Sequence, residues 1–377
     1  MGAQFRRIFA WAVRTAAVAL AALVLLELTA RVVLFGASGL VPERVDSVHG
    51  LFETGFTRPS AVPGLGFELA PKVSGWFKLV PFRTNSVGMR DEEVPLHKPD
   101  GTYRIAVVGA SFALPAGVAI ERAFHTLLEE RLSREWAPLR VECLNFAVGM
   151  YHPRQSLAML EGRALAYAPD LVIFTATNLS APLLLVDPAE EARRFAAEGG
   201  AGLAALRFRR THPFLRSYLY RLVRARAWPG EKVPQPDLGL LERAYLGASE
   251  AIGGGRAPTP AGSGSGPLAL PRVERDPVID RLARVGRREG LPIVIARLEF
   301  DPAPPSAADE ALAVRARELG LGWVDTRAAF EGRSPREFWI YELDPHPNAN
   351  AHGLFAGRIA SFLASHAPAV PAVPASE

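Results

Sequence analysis

The sequence has almost no cysteine and only a small excess of positive over negative charge. Cys143 is the single cysteine among 377 residues, which excludes a disulfide within the chain. Its apolar neighbours Val141, Leu144 and Phe146 indicate a buried strand rather than a reactive thiol. Lysine and arginine exceed aspartate and glutamate only slightly, 43 against 39. Because no long basic run with interleaved aromatic residues accompanies that excess, nucleic acid is not an expected partner.

Two kinds of ligand site are also missing from the sequence. No group of histidine, cysteine and carboxylate residues has the spacing of metal ligands, so no metal ion is predicted. The segment from Ala110 to Pro115 follows a predicted strand where a glycine-rich phosphate loop would lie, and it is too bulky for one. We therefore expect no cofactor.

Residues 1–36 have the pattern of a membrane anchor. Arginines precede an apolar run from Thr15 to Leu26, which is shorter than the ~20 residues that span a bilayer comfortably. Glu27 and Arg31 interrupt the apolar character after it, but they are four apart and can pair on a helix. Arg14 can extend towards the headgroups. Positive charge before the run predicts a cytoplasmic N-terminus, with the rest of the chain on the other side.

Two other interpretations of this segment remain open. A cleaved signal peptide also has a short apolar region, but no clean Ala-x-Ala site follows the run at the expected distance. A buried helix of a soluble protein would have a similar composition. We predict an uncleaved, single-pass anchor.

The main domain shows apolar runs of strand length alternating with helical patterns, which predicts a doubly wound parallel sheet of flavodoxin-like type in a three-layer α/β/α arrangement. The predicted strands are RIAVVGA, VECLNFAV, DLVIFTAT, LPIVIARLEF and LGWVDT. The predicted helices are 121–135, 153–168, about 308–319 and 353–365.

The remaining segments are assigned by composition. Residues 37–100 are rich in glycine, proline and aromatic residues and are predicted to be a β-rich lead-in packed on the main domain, which spans 101–366. Residues 187–275 are predicted to be an insertion, helical at first and then a flexible linker. Residues 367–377 are predicted to be a disordered tail.

In an open parallel sheet, ligands bind beyond the carboxyl ends of the strands, so the polar residues that follow each strand are the candidates for a site. Separate strand ends of this sequence deliver a hydroxyl, backbone N–H groups, an amide and a histidine–aspartate pair to that edge. These candidates are Ser111, Gly149, Met150, Asn178, Asp344 and His346.

These residue types together are suited to nucleophilic catalysis. A serine hydroxyl needs a base to take its proton, and histidine supplies one near neutral pH. A carboxylate such as Asp344 fixes the histidine tautomer and stabilises the imidazolium. A developing oxyanion needs aimed donors, which the Ser111 N–H, an N–H at Gly149 or Met150 and the Asn178 amide are placed to supply.

Residues from about 80 to 180 and from 275 to 365 resemble the SGNH hydrolase family, which is also called GDSL-type. Aspartate and histidine two apart before a final helix, in DPHPNANAHGLFAGRIASFL, are its most specific part. The segment from Asn85 to Arg90 is similar to the N-S-x-G-x-R segment of membrane-anchored bacterial members. The resemblance implies a catalytic triad of Ser111, Asp344 and His346, with Asn178 as an oxyanion donor.

The sequence departs from the family pattern at four places, and one is that Ala113, Leu114 and Pro115 replace the small residues expected after the serine. Gly-Asp-Ser appears as Gly109-Ala110-Ser111, and the glycine of the second block falls at Met150 or has shifted to Gly149. The Asn-Asp of the third block is replaced by Asn178-Leu179. These changes motivate a rival hypothesis, a catalytically degenerate member that binds an envelope glycan or a partner protein.

The resulting hypothesis is a serine esterase that acts through an acyl-serine intermediate. The resemblance and the predicted anchor imply a bacterial inner-membrane protein with its catalytic domain on the periplasmic side. They imply a small-molecule or glycan ester as substrate, such as O-acetyl groups on envelope glycans or lipids. An O-acyltransferase is a third interpretation that the sequence leaves open, and the oligomeric state is not predicted.

Overall fold

The computed structural model describes residues 3–48, 51, 54–177, 184, 217–227 and 277–366. The chain divides into two units, one formed by 1–45 with 192–269 and the other by 46–191 with 270–377. Most of the predicted insertion at 187–275 and the predicted tail at 367–377 lie outside the described residues.

The first unit is built on one long apolar helix, α1 (Ala3–Phe35), which continues into a 3-10 turn at Gly36–Leu40. At 1.5 Å per residue, 33 residues extend about 50 Å. The segment Gln4–Leu40 is long and apolar enough to cross a membrane by length and composition. Most of its large apolar side chains are exposed, as they would not be in a core helix of a soluble protein.

Glu27 has partners that explain a carboxylate within this apolar helix. It forms the predicted pair with Arg31, at 2.9 Å between Oε1 and Nε. It also accepts hydrogen bonds from the Ser217 hydroxyl and from the Leu219 N–H, at the start of a helix that we call α5 (Tyr218–Ala227). A carboxylate at a helix N-terminus satisfies amide groups that have no partner within the helix.

The second unit contains the predicted parallel sheet. Its strands are β5 (Thr102–Val108), β6 (Arg140–Asn145), β7 (Leu171–Ala176), β8 (Ile293–Arg297) and β9 (Gly322–Asp325). They lie in the order β6-β5-β7-β8-β9, every neighbouring pair is parallel, and in chain order this is 2-1-3-4-5. The flavodoxin-like fold class is therefore confirmed. Strands β5, β7 and β8 are buried along their whole length, as expected when both faces of a sheet are covered.

Helices cover both faces of this sheet. The first face carries α3 (Phe124–Glu135) and α8 (Ala349–His366), which pack on each other. The second carries α4 (Pro153–Gly162) and α6 (Val278–Glu289), joined by the Arg281–Glu161 ion pair at 2.7 Å. A further helix, α7 (Ala307–Glu318), connects β8 to β9.

Helix boundaries differ from the sequence prediction in physically understandable ways. The first helix begins at 124 rather than 121, because 120–122 form a 3-10 turn. The second ends at Gly162, and 164–167 form another 3-10 turn. The last begins at Ala349, because the Asn348 side chain accepts hydrogen bonds from the N–H groups at its start. Helix α6 was not predicted.

Short antiparallel hairpins occupy the segment before the sheet. One pairs β1 (Thr57–Pro59) with β2 (Phe67–Leu69), and the other pairs β3 (Ser74–Phe77) with β4 (Val80–Arg83). A third hairpin near the C-terminus pairs β10 (Trp339–Tyr341) with β11 (Asp344–Pro347). A short helix, α2 (Pro42–Asp46), precedes the first hairpin.

Candidate active site

Ser111 lies in the loop that follows the inner strand β5, and it is half-buried. Gly109 brings this loop against the neighbouring strand, because a Cβ atom at this position would meet Thr175 Oγ1 at 1.8 Å. Only glycine fits so close to β7, so the glycine of Gly-x-Ser has a packing reason in this structure. The Ser111 hydroxyl makes no hydrogen bond to any of the described residues.

The loop formed by residues 110–118 is stabilised by the buried side chain of Arg90, a residue that is 2% exposed. Its guanidinium donates to the carbonyls of Leu114 at 2.9 Å and Val118 at 2.7 Å. Burial lowers the pKa of Arg90 to about 10, so the group remains a cation at neutral pH. Asn145, at the end of β6, adds a hydrogen bond from Nδ2 to the Ala113 carbonyl at 2.9 Å.

Asn85 and Gly88, in the same motif as Arg90, form a turn. The Asn85 side chain accepts hydrogen bonds from the N–H groups of Val87 and Met89. Gly88 has φ +91°, and a Cβ atom there would lie 2.5 Å from the Leu69 carbonyl oxygen. The motif therefore builds a turn that directs a buried arginine beneath the loop of Ser111.

Asp344 and His346 are in direct contact on β11. The Asp344 carboxylate contacts His346 Nδ1 through Oδ1, and the same oxygen accepts from the His346 backbone N–H at 3.1 Å. Burial acts to raise the pKa of Asp344, but the bonds and charges of His346 and Lys78 hold it well below its usual range. An ionised carboxylate only accepts hydrogen bonds, so the proton of a neutral His346 lies on Nδ1 and Nε2 carries none.

Phe112 brings the loop of Ser111 next to His346. Its ring lies 5.7 Å from the His346 ring, edge to face, and 5.8 Å from the ring of Phe300. Phe300 follows β8, so residues from the ends of two inner strands, β5 and β8, meet a residue of β11 here. No hydrogen bond joins Ser111 Oγ to His346 in the described structure. Such bonds are commonly long or absent before substrate binds.

Lys78 is a member of this group that the sequence analysis missed. Its ammonium lies 2.5 Å from Asp344 Oδ2 and 3.1 Å from His346 Nδ1. The lysine comes from the β3–β4 hairpin, more than 260 positions away in the sequence. A lysine in a glycine- and proline-rich segment carries no motif, so no sequence signal would have found it.

Met150 occupies a backbone conformation that usually belongs to glycine. It has φ +70° in a turn closed by a hydrogen bond from the Tyr151 N–H to the Val148 carbonyl at 3.3 Å. A turn with positive φ at its third position strongly favours glycine there. The Met150 side chain is 55% exposed. Neither Gly149 nor Met150 donates its N–H to any described residue.

Asn178, the third expected oxyanion donor, lies outside the described residues. Strand β7 ends at Ala176, two residues before it. Its role stays a prediction.

Three histidines near these elements have structural contacts. His125 and His352 are buried, and burial lowers the pKa of each to about 3, so both are neutral. His352 accepts from the Phe124 N–H at 3.1 Å. His152 begins α4 and accepts from the Arg154 N–H. Within the described residues, no group of three or more histidine, cysteine and acidic residues is placed to hold a metal ion.

A cavity of about 260 Å³ opens beside the turn of the Asn85 motif. Its walls include Arg83, Asp91, Glu93 and Ile120, and neither Ser111 nor the Asp344–His346 pair lines it. Burial raises the pKa of Asp91 to about 7, against the hydrogen bonds that it accepts from the Asn145 and Glu92 N–H groups. We therefore place the candidate site at the loop of Ser111 and not in this cavity.

Comparison with known proteins yields similarity to solved structures. No family model and no curated protein matches the chain. LAE5, an α/β hydrolase enzyme from the metagenome of Lake Arreo in Spain, is 12% identical, with 70% of this chain and 95% of that chain covered at a TM-score of 0.37. A variant of Axe2, an acetyl xylan esterase from Geobacillus stearothermophilus, is 13% identical, covering 69% and 94% at 0.37. TesA is 14% identical, covering 69% and 98% at 0.37.

Similarity of this strength carries no argument about activity. The chain's own structure defines the class, an open α/β protein with a parallel sheet of flavodoxin-like order. The chemistry of the protein depends on the side chains at the edge of that sheet.

Proposed function

We propose that the protein is a serine esterase of the SGNH type, with Ser111 as nucleophile and His346 as its base. The observation that carries the proposal is the contact between Asp344 and His346, made beside the loop that presents Ser111. A buried carboxylate bonded to Nδ1 leaves Nε2 as the acceptor, which is the tautomer that activation of a hydroxyl requires.

The acylation step needs one base and one leaving group. Ser111 Oγ attacks the ester carbonyl carbon, its proton passes to His346 Nε2, and the carbonyl electrons move to the oxygen. When the carbonyl re-forms, the bond to the alcohol oxygen breaks. His346 gives its proton to that oxygen, and the acyl group stays on Ser111.

Deacylation repeats these movements with water as the nucleophile. His346 takes a proton from water as the water oxygen bonds to the acyl carbon. It returns this proton to Ser111 Oγ as the bond between Oγ and the acyl carbon breaks. The products are a carboxylic acid and the free serine. If a sugar hydroxyl replaces water, the same step transfers the acyl group, so hydrolysis and transfer differ only in the acceptor.

Backbone donors for the developing oxyanion are proposed at Ser111 and at the Met150 turn, with Asn178 as a third. The N–H groups of Gly149 and Met150 have no acceptor within the described residues and remain free for a ligand. A single such donor contributes ~3 to 4 kcal/mol to transition-state stabilisation. Met150 retains the conformation that a glycine would provide, which supports this role.

The substrate class is proposed from the compartment that the protein is proposed to face. If α1 crosses the inner membrane with its arginines inside, the remaining chain faces the periplasm. An enzyme tethered there meets O-acylated glycans and lipids of the envelope, and we propose acetyl esters of such molecules as substrates.

Turnover of p-nitrophenyl acetate and of acetylated oligosaccharides tests this function. The wild type is expected to release acetate, while Ser111→Ala and His346→Gln lose at least about a thousandfold in kcat. Analysis of products with glycan acceptors present separates transfer from hydrolysis. Equal release by wild type and Ser111→Ala would exclude the proposed nucleophile.

A second candidate is a binding protein that kept the fold without the chemistry. The observation in its favour is that Ala110, Met150 and Leu179 stand where the SGNH pattern has other residues. A folded wild type that turns over no ester but binds acetylated oligosaccharides, measured by calorimetry, would establish this alternative.

A further inference from the structure

The Asp344 carboxylate receives four hydrogen bonds. Oδ1 faces the ring and the backbone N–H of His346, and Oδ2 faces the ammonium of Lys78 and the hydroxyl of Tyr341 at 3.2 Å. These contacts use the acceptor positions of both oxygens. The Lys78 and Asp344 side chains are only 11% and 13% exposed, so solvent screens their charges weakly.

Lys78 reaches this position because of an unusual turn. It forms the two-residue connection between β3 and β4 with Leu79, and the two residues have φ +49° and +72°. This is the conformation of a type I′ turn, which Asn-Gly normally occupies. Two non-glycine residues with a strained backbone conformation at a candidate site are more easily explained by function than by folding.

The surroundings fix the turn in place. The Lys78 N–H donates to the Ser47 carbonyl, and the Leu79 N–H donates to the Ser47 hydroxyl, both at 2.9 Å. On the other side is Gly117, in the loop that follows Ser111. A Cβ atom at Gly117 would lie 3.3 Å from Lys78 Cβ and 2.7 Å from Ile340 Cδ1. The hairpin tip thus packs against the loop of Ser111 at Gly117, which also lies next to Ile340 of the β10–β11 hairpin.

We propose that Lys78 is a positioning residue for the Asp344–His346 pair, which it tunes by charge. The proposal rests on the proposed roles of Ser111 and His346. Together with the hydrogen bond and charge of His346, Lys78 keeps Asp344 ionised, and the ionised carboxylate holds the His346 proton on Nδ1 and leaves Nε2 free as the base. Its positive charge, 3.1 Å from the ring, also opposes a second proton on His346.

The charges through the reaction explain why a cation is useful there. At rest, Lys78 and Asp344 sum to zero beside a neutral ring. After His346 takes the serine proton, the three groups carry a net charge of +1, opposite to that of the oxyanion forming at the substrate. Lys78 therefore keeps His346 available as a base at lower pH, and its charge is opposite in sign to the oxyanion that forms on the substrate.

Charged or titratable side chains reach the surroundings of His346 from several elements. Among the described residues, Lys78 faces it from the β3–β4 turn, Asp344 from β11, Tyr341 through Asp344, and His352 from α8. The His352 pKa, at about 3, keeps that ring neutral. Replacing Lys78 by an uncharged residue thus removes the nearest cation.

The rate of fluorophosphonate labelling as a function of pH tests the proposal. In Lys78→Met we expect the acid limb of the profile to move to higher pH by about one to two units, because a neighbouring like charge has been removed. Lys78→Arg keeps the charge and is expected to restore most of the wild-type profile. Lys72→Met is the matched control, since Lys72 is also a turn lysine at positive φ, +53°, but is exposed. An unshifted limb in Lys78→Met overturns the proposal.

Proton NMR titration of the His346 ring, assigned with His346→Gln, separates this proposal from the proposed function. In Lys78→Met the midpoint of the His346 titration should move to higher pH by about one to two units. This shift is expected whether or not the protein reacts with the fluorophosphonate. If wild type never labels and the titration still shifts, the proposed function fails, while the effect of the Lys78 charge on His346 is supported. If the titration does not move in a folded Lys78→Met, the role of Lys78 is refuted.

Discussion

At the scale of single residues, two positions of the candidate site have restricted geometry, one in its packing and one in its backbone. Gly109 has no room for a Cβ atom, and Met150 holds a left-handed backbone conformation with an exposed side chain. The first is a glycine that packing requires. The second is a residue that geometry disfavours, which indicates a constraint other than stability.

Gly109→Ala is predicted to destabilise the protein by roughly 2–3 kcal/mol, because its Cβ atom would overlap Thr175 between two buried strands. Urea denaturation measures the change in unfolding free energy. Gly353→Ala is the control, since that helical glycine has open space around it and alanine is expected to stabilise by up to ~1 kcal/mol. Equal effects of the two substitutions would contradict the packing argument.

Met150→Gly is predicted to raise the unfolding free energy by about 1 kcal/mol, since glycine adopts positive φ without the cost that methionine carries. Ala168→Gly, at another exposed left-handed position with φ +49°, should give a similar gain. Thermal unfolding compares the two. A clear loss of stability in Met150→Gly alone would show that the methionine side chain is needed for packing.

At the scale of elements, sequence patterns predicted what depends on local periodicity. The strands of the sheet and their parallel arrangement followed from short apolar runs bounded by glycine, because burial on both faces leaves that signature. Helix α6 was missed because it follows the low-complexity stretch ending near 275 and carries several arginines. The strand β11 was not predicted, because Asp-Pro-His-Pro contains two prolines and has no apolar pattern of a strand.

The candidate site was predictable only in part, for a related reason. Ser111, Asp344 and His346 occur in recognisable sequence contexts, but Lys78 enters through a hairpin tip whose direction depends on tertiary packing. Likewise, the sequence suggested Arg90 as part of a motif but not that its guanidinium would lie beneath the loop of Ser111. Contacts between distant segments leave no local pattern in the sequence.

Arg90→Met is predicted to loosen the loop of Ser111 and to cost roughly 3 kcal/mol, because carbonyls that accept hydrogen bonds from a buried cation lose their donor. Hydrogen exchange should show faster exchange of the amides at 113–118. Arg83→Met, where the side chain is 68% exposed, is expected to stay within about 0.5 kcal/mol of wild type. Unchanged exchange at 113–118 in Arg90→Met would remove the role assigned to this arginine.

At the scale of the whole molecule, an apolar helix about 50 Å long precedes a domain with a candidate hydrolytic site. The helix has the length and composition to cross a membrane, and the basic residues at its start favour the proposed orientation. Anchoring would keep the site close to an insoluble or membrane-bound substrate.

Membrane anchoring predicts that the wild type resists extraction from membranes by alkaline carbonate. The pair Leu20→Arg and Leu23→Arg, at exposed positions in the middle of α1, should release the protein, because each central arginine costs ~2.5 to 3.5 kcal/mol in the bilayer. Phe5→Arg with Ile8→Arg, near the basic end, should leave the protein in the membrane fraction. A wild type that extracts completely would contradict the anchor.

The central claim is that Ser111 is an activated nucleophile, and intact-mass analysis after fluorophosphonate treatment tests it most directly. The account predicts a single covalent adduct on the wild type, mapped by peptide sequencing to Ser111, and no adduct on folded Ser111→Ala. A folded wild type that remains unmodified, or an adduct that persists in Ser111→Ala, would contradict it.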